Sequence, residues 1–418
     1  MLLLRDHIGI FGRMNAGKSS VMNLLTQSDT SIVDPTPGTT ADTKITMIEL
    51  HGLGPAKLFD TAGMDESNEL GDKKKSKVLL CLKECDLVLL VIDPRIQTFE
   101  TENEILNSAR EQDKQIIIIV NIFNGLDYTK EISKFDQNMP LIKFYGKICI
   151  SASDPSCRQN LINFILKNYV PKNVKIDLLP FIKKDEFYIL NIPMDEETPH
   201  GRYLRPQEMS EEYIARHWAF PVSYRMDLSN ARSGKVQEKE RFTRFLASFS
   251  KRPKLMITDS QAMDIVKDWL PEDIMLTTFS IMMVNYMSSG MLKGFVDGVK
   301  VIDNLKPNDK VLIVEACNHS RIAEDIGTSQ IPKILNRKIP GLIIEHNFGR
   351  EFQENANLSV YKLIIHCGGC MVTPQTMSAR IRDLSHLGIP YTNYGVFLSC
   401  LHGKHCLDRV LKPWGITA

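Results

Sequence analysis

Two groups of residues in this chain have the types and spacing to do chemistry. The first is Gly12-Arg-Met-Asn-Ala-Gly17-Lys18-Ser19, which follows an apolar, strand-like run and opens a helical pattern. Glycines let backbone amides wrap a phosphate chain, Lys18 neutralises the β and γ charge, and the Ser19 hydroxyl can ligate magnesium. Gly12, Asn15, Ala16, Gly17, Lys18, Ser19 and Ser20 are therefore expected to hold a nucleoside triphosphate with Mg2+. Asp60-Thr61-Ala62-Gly63 ends another apolar run about forty residues on. Its carboxylate can hold magnesium through water, and Gly63 can feel the γ-phosphate. Lys18, Asp60 and Gly63 are thus the expected hydrolytic residues. A glycine-rich turn that binds nothing is the alternative, and the agreement between the two stretches counts against it.

The second group is sulfur-rich. Cys317-Asn-His319 follows the strand-like Val311 to Glu315, and His366-Cys367-Gly-Gly-Cys370 follows the strand-like Leu363 to Ile365. At the carboxyl ends of parallel strands, both motifs would face one crevice, where three thiolates can converge. Glycines between Cys367 and Cys370 permit a tight turn with amides free to hydrogen-bond sulfides. Three cysteines are one short of the usual iron-sulfur set, which would leave one iron open to another species. His319, His366 and Glu315 are the candidates for the fourth position, and each histidine could equally serve by hydrogen-bonding a thiolate. Zinc held by Cys317, Cys367, Cys370 and a histidine is the rival, because thiolate and imidazole suit both metals. A further group, Cys400-x-His402-x-x-His405-Cys406, fits no metal template and is read as a helix and its cap. Cys81 and Cys85, four apart on a helical pattern, read as core packing, and Cys149 and Cys157 likewise.

These groups need a scaffold. With 418 residues and 43% hydrophobic content, the chain is too long for one ordinary core and too apolar for disorder. Apolar runs at His7–Phe11, Lys57–Asp60, Asp86–Asp93, Gln115–Asn121 and Lys147–Ser151 alternate with helical patterns, which predicts a doubly wound parallel sheet. Pro171-Lys172-Asn173 breaks that pattern after a helix over Gln159–Tyr169. A small mixed α/β unit is expected over 172–252, with strands Phe187–Ile192 and Phe220–Met226 and a helix Lys235–Phe249. From Pro253 the alternation returns, with strands at Lys254–Thr258, Ile274–Thr278, Lys310–Glu315, Gly341–Glu345 and Leu363–His366. That predicts three α/β domains, 1–171, 172–252 and 253–418, the last a second parallel α/β unit. The 51 Lys and Arg nearly cancel the 50 Asp and Glu, so no global field draws nucleic acid or a membrane surface. No run reaches the length of a membrane span, and nine cysteines scattered over a large chain argue for free thiols or metal ligands in a reducing compartment. The expected location is cytoplasmic.

Pro37-Gly38-Thr39-Thr40-Ala41-Asp42, lying between the P-loop and Asp60, resembles switch I of the Era and TrmE group of GTPases. The resemblance implies that Thr40 ligates magnesium. Met64 stands where many GTPases carry the glutamine that orients water, which implies slow hydrolysis. Relatives lacking that glutamine recruit K+ through a P-loop asparagine, and Asn15 sits at the matching position; a loop-bracing hydrogen bond is its alternative role. Asn121-Ile122-Phe123-Asn124 stands for the family's Asn-Lys-x-Asp, so Asn124 offers guanine one acceptor where an aspartate offers two. Weaker base selectivity is expected. Ser151-Ala152-Ser153 resembles the last base-contacting loop and supports guanine, with Asn121, Asn124, Ser151 and Ala152 as nucleotide contacts.

Cys-x-His, a long gap and His-Cys-x-x-Cys behind such a GTPase domain resembles the HydF family of FeFe-hydrogenase maturation GTPases. Ile257-Thr-Asp-Ser-Gln261 and Asp309-Lys-Val-Leu-Ile313 extend the resemblance over essentially the whole chain. It implies a homodimer that hydrolyses GTP, carries a 4Fe-4S cluster, receives a diiron precursor from radical-SAM hydrogenase maturases and passes it to apo FeFe-hydrogenase. A zinc-containing GTPase acting on tRNA or in ribosome assembly is the other reading, although no basic stripe or RNA-binding module follows the first domain. A redox enzyme is a third, without a flavin or nicotinamide fingerprint.

Overall fold

The computed structural model describes residues 5–27, 44–63, 69–123, 128–171, 176–193, 203–315, 326–348 and 357–418. The chain divides into two compact units, 3–173 and 174–418. In the first, strands β1 (Asp6–Phe11), β2 (Lys44–Leu50), β3 (Gly54–Asp60), β4 (Leu87–Ile92), β5 (Gln115–Asn121) and β6 (Gly146–Ile150) form one sheet in the order β2-β3-β1-β4-β5-β6. All neighbours are parallel except β2 and β3. Every residue of β1 and β4 is buried, as expected of central strands covered on both faces. Side chains alternate between two cores, Ile8 and Ile10 on one face and Phe11, Val88 and Leu90 on the other. The antiparallel edge strand β2 departs from the expected all-parallel sheet. It folds back on β3 through a turn in which Gly52 and Gly54 both adopt left-handed φ, 92° and 98°.

The second unit holds two four-stranded sheets. β7 (Phe187–Pro193), β8 (Phe220–Met226), β9 (Leu255–Thr258) and β10 (Met275–Thr278) run parallel in the order β10-β9-β7-β8. β11 (Lys310–Glu315), β12 (Ile343–Phe348), β13 (Tyr361–His366) and β14 (Tyr391–Asn393) run parallel in the order β12-β11-β13-β14. The expected division at 252/253 therefore passes through the first of these sheets, because β9 and β10 pair with β7 and not with β11. Strand-helix alternation locates strands but does not say which sheet they join. A continuous hydrophobic core runs from Leu178 to Leu411. At its centre the helix Phe279–Met287 is buried nearly all round, which its run of Ile, Met, Val and Tyr requires. Among the described residues, no helix is long and apolar enough to cross a membrane.

Candidate functional sites

In the first unit, the P-loop leaves β1 and enters the helix Lys18–Thr26. Gly12 has φ 148°, and a Cβ there would stand 2.4 Å from the Val91 carbonyl oxygen. Gly17 has φ 97°, and its Cβ would fall 2.1 Å from Asn121 Nδ2. No other residue type fits either position without moving its neighbours. Lys18 is buried, with Nζ donating to the Arg13 carbonyl at 2.7 Å. Ser19 Oγ donates to Asp60 Oδ2 at 2.7 Å, while Asp60 Oδ1 is buried with no partner among the described residues. Two oxygen ligands are thus already side by side, and the second carboxylate oxygen awaits a donor or a cation's water shell. That donor set fits magnesium. Thr61 Oγ1 donates to the Ile10 carbonyl at 2.8 Å and fixes the strand end that presents Asp60. Asn15 is exposed in a left-handed conformation, φ 60°, which asparagine tolerates. Its side chain makes no hydrogen bond among the described residues, so nothing there supports the loop-bracing role. Ser20 is exposed and Gly63 half-buried. Thr40, Met64 and Asn124 lie outside the described residues.

Asn121, expected to meet the nucleotide, is 3% exposed and engages both ends of its amide within the protein. Nδ2 donates to the Ala16 carbonyl at 3.0 Å, and Oδ1 accepts from the Ala152 amide at 3.0 Å. It braces the P-loop against the 151–153 loop, where Ser151 and Ser153 hydroxyls meet at 3.0 Å. The structure adds residues that motif reading missed. Arg13 Nε and Nη2 reach the fully buried Glu102 carboxylate at 2.8 and 3.0 Å, and Nη2 also reaches the Thr98 carbonyl. Arg95, held by Asp93, lies 4.0 Å from the centre of the Phe123 ring. Arg13 and Glu102 are 89 residues apart and Arg95 and Phe123 are 28 apart, so no spacing rule could find these pairs.

In the second unit, a cleft of about 180 Å³ is lined by Glu315, Cys367 and Cys370 together with residues from the other sheet's loops. Cys367 follows β13, its amide donating to the Val314 carbonyl at 2.9 Å, and the Gly369 amide points at Cys367 Sγ at 3.4 Å. Gly369 has φ 69°, so the turn between the thiols depends on glycine. Burial pushes the Cys370 thiol up, opposed by the nearby Arg205 guanidinium, which also donates to the Cys370 carbonyl. Glu315 is buried and accepts from Tyr394 Oη at 2.9 Å.

His366 differs from its expected place as a ligand. Its Nδ1 donates to the Cys367 carbonyl at 2.8 Å, which leaves Nε2 to accept from Arg380 at 2.8 Å. Both nitrogens are occupied, so the ring positions the thiol turn. Burial first, then the Arg380 charge, pulls its pKa down to about 3 against the pull of the Cys367 carbonyl, keeping it neutral. Cys317 and His319 lie outside the described residues. Among the described residues, no three His, Cys, Asp or Glu side chains converge as a metal-ligand group. That includes the Cys400 to Cys406 stretch, where His402 caps a helix, His405 faces Glu272 at 3.3 Å and Cys406 is buried in the core. Cys85 packs in the core as expected, but Cys149 is exposed on the edge strand β6 and Cys157 is half-buried.

A P-loop on a six-stranded sheet, with Ser19 and Asp60 paired beneath it, defines a P-loop nucleoside triphosphatase domain. The family model "50S ribosome-binding GTPase" matches residues 7–122, "Hydrogen maturase F dimerization domain" matches 178–287 and "Hydrogen maturase F tetramerization domain" matches 293–413. The chain belongs to the hydrogen maturase F (HydF) family of GTPases. The two latter matches meet between 287 and 293, again away from 252/253. Among curated proteins it is 29% identical to GTPase Der of Buchnera aphidicola over 179 residues, 43% of this chain and 39% of that protein. It is 36% identical to the tRNA modification GTPase MnmE of Roseiflexus castenholzii over 154 residues, 34% of this chain and 32% of that protein. The match thus spans about two-fifths or less of the length of these relatives. A solved structure of Aquifex aeolicus Era bound to GDP and AlF4− is 19% identical, with 55% of this chain and 97% of that one covered and a TM-score of 0.33.

Proposed function

We propose that this chain is a GTP-hydrolysing scaffold that binds a 4Fe-4S cluster and delivers a diiron precursor to apo FeFe-hydrogenase. It acts in the cytoplasm as a homodimer, with radical-SAM hydrogenase maturases as suppliers. The observation that carries this reading is the cleft itself, where the Cys367–Cys370 turn and buried Glu315 stand together at the carboxyl ends of parallel strands in a HydF-family chain. Soft thiolates paired with a backbone amide aimed at sulfur suit an iron-sulfur cluster. Cys317, Cys367 and Cys370 would hold it, with Glu315 or His319 at the remaining position, since His366 has no free nitrogen. When bound, the cluster supplies an iron with an exchangeable position.

In the first unit, Lys18, Thr40, Asp60 and Gly63 are the residues assigned to hydrolysis, and Ser19, Thr40 and Asp60 to magnesium. Hydrolysis is slow and K+-stimulated in this reading, supported by Met64 and by an Asn15 side chain with no bracing bond. Ordering of Thr40 and the Gly63 segment by the γ-phosphate, and their release on hydrolysis, makes the nucleotide a switch. The test is anaerobic reconstitution with iron and sulfide, followed by metal analysis and EPR of the reduced protein. A reducible 4Fe-4S signal in the wild type that is lost in Cys367→Ser supports the scaffold. Stoichiometric zinc without iron uptake refutes it in favour of a zinc GTPase.

A further inference from the structure

We propose that Arg205 and Arg380 are positioning residues that grip the two ends of the Cys367–Cys370 turn and raise the reduction potential of the cluster its thiols would carry. This rests on the reading of Cys367 and Cys370 as cluster ligands. The two guanidiniums come from separate elements. Arg205 opens the helix Arg205–Arg216 between β7 and β8, and Arg380 lies in the helix Pro374–His386 after β13. Arg205 Nη1 donates directly to the Cys370 carbonyl. Arg380 acts through His366: its Nη1 donates to Nε2 at 2.8 Å, and Nδ1 donates to the Cys367 carbonyl at 2.8 Å.

A guanidinium has donors and no acceptor, so Nε2 must present its lone pair and the imidazole proton sits on Nδ1. The ring is therefore a one-way relay from Arg380 to the peptide after Cys367. That cysteine's backbone is fixed on its other side too, since its amide donates to the Val314 carbonyl at 2.9 Å. The Gly369 carbonyl accepts from the Val372 amide at 3.2 Å, and the Gly369 amide points at Cys367 Sγ at 3.4 Å. Carbonyls 367, 369 and 370 are thus each held, and two of the three lead back to a guanidinium. The helix that carries Arg380 packs against the turn itself. A Cβ on Gly369 would stand 2.3 Å from Met377 Cε and 3.8 Å from His366 Cε1. Met377 and Arg380, three residues apart, share that helix face.

Holding a carbonyl needs only a neutral donor, and Val372 supplies one for Gly369. Guanidiniums at the other two ends bring charge that anchoring alone does not require. Arg380 is 4% exposed and His366 3%, so that charge acts where water screens it little. Three thiolates leave a bound 4Fe-4S cluster with net negative charge, and its reduction adds one electron from a low-potential donor, with no bond made or broken. A fixed cation close to the ligands favours the state that holds the extra electron. Charge and hydrogen bonds around the sulfur ligands are the protein's means of setting such a potential.

The experiment uses full-length protein reconstituted anaerobically with iron and sulfide, as wild type, Arg205→Gln, Arg205→Lys and Arg380→Gln. Iron and sulfide are counted, and the midpoint is read by EPR during titration with dithionite. Glutamine keeps a donor and drops the charge, whereas lysine keeps both. The expected result is full iron content throughout and a reduction equilibrium about tenfold less favourable in each glutamine variant, a midpoint lower by about 59 mV for one electron. Arg205→Lys should stay within about threefold of wild type. Glutamine variants with a full cluster and the wild-type midpoint overturn the proposal and leave the cluster reading intact. A shift in Arg205→Lys as large as in Arg205→Gln also overturns it, because geometry and not charge would then set the potential. Loss of iron in Arg205→Gln overturns it in favour of a latch that only retains the cluster. A wild type that takes up no iron overturns the cluster reading and the proposal together. Should Arg380→Gln fail to fold, Arg205→Gln decides, because Arg205 is only half-buried.

Discussion

Replacing Asn121 by alanine should cripple nucleotide binding through the loops it braces, since both ends of its side-chain amide are engaged within the protein. The change removes a donor to the Ala16 carbonyl and an acceptor from the Ala152 amide, both at 3.0 Å in a buried site. Each bond contributes about 1 kcal/mol net, and each orphaned buried group adds desolvation cost, so the total is about 2–4 kcal/mol. The two loops it joins must both be in place to enclose a nucleotide. If the whole cost falls on binding, affinity drops roughly 30- to 1000-fold; any part that falls on folding appears as a lower melting temperature. Asn121→Asp should recover little, because it keeps the bond from Ala152 but sets a carboxylate oxygen against the Ala16 carbonyl. Titration of a fluorescent GDP into the full-length variants, with calorimetric melting alongside, measures both channels. If Asn121→Ala binds within threefold of wild type and melts at the same temperature, the bracing argument is wrong.

Arg409 reaches the carbonyls of Lys267, Leu270, Pro271 and Ile274 from a nearly buried position. Arg409→Ala should cost about 2–4 kcal/mol and lower the melting temperature of the second unit by roughly 4–16 °C, without rescue by lysine. His7 has its pKa lowered from 6.5 to about 3 by burial, reinforced by Lys57 and opposed by the Glu84 carbonyl. The unfolded chain then binds the extra proton, so the stability of the first unit is full above pH 6.5 and falls by about 1.4 kcal/mol per unit as pH drops toward 3. Acid titration of the melting temperature should show that slope in wild type and a shallower one in His7→Phe. A Cβ on Gly327 would lie 2.0 Å from Glu315 Oε1 and 2.3 Å from Tyr394 Oη. Gly327→Ala should therefore displace Glu315, cost about 1–3 kcal/mol and reduce iron uptake on reconstitution.

What could be read from the sequence was local. The run His7–Phe11 before a glycine announces β1 and its P-loop, one residue short of the observed strand, and the strands read at Gln115–Asn121 and Lys310–Glu315 have those same bounds in the structure. β2 was not legible, since Lys44-Ile-Thr-Met-Ile-Glu-Leu is a mixed edge pattern whose pairing depends on the turn at Gly52 and Gly54. Sheet membership was not legible either: β9 and β10 carry the same alternation as β11, and only the pairing of β9 with β7 tells them apart. At the sites, Ser19 and Asp60 could be named from motif spacing. Arg13 with Glu102 could not, nor could the burial of His366 against Arg380, because a salt bridge or a buried hydrogen bond has no characteristic separation.

The core shared by the two sheets of the second unit also orders events in time. Trp414 Nε1 donates to Thr277 Oγ1 at 2.8 Å across 137 residues, and the helix Lys404–Leu411 buries Cys406, Leu407, Val410 and Leu411 in the same core. At roughly 5–20 residues per second, a ribosome needs about 7–27 s to make the stretch between them. Throughout that interval β10 lacks the cover it has in the finished protein, and Cys367 and Cys370, 47 and 44 residues before Trp414, are made only in about its last third. In the proposed cluster reading, loading of those thiolates therefore belongs after the 404–414 segment has been made and has covered the core.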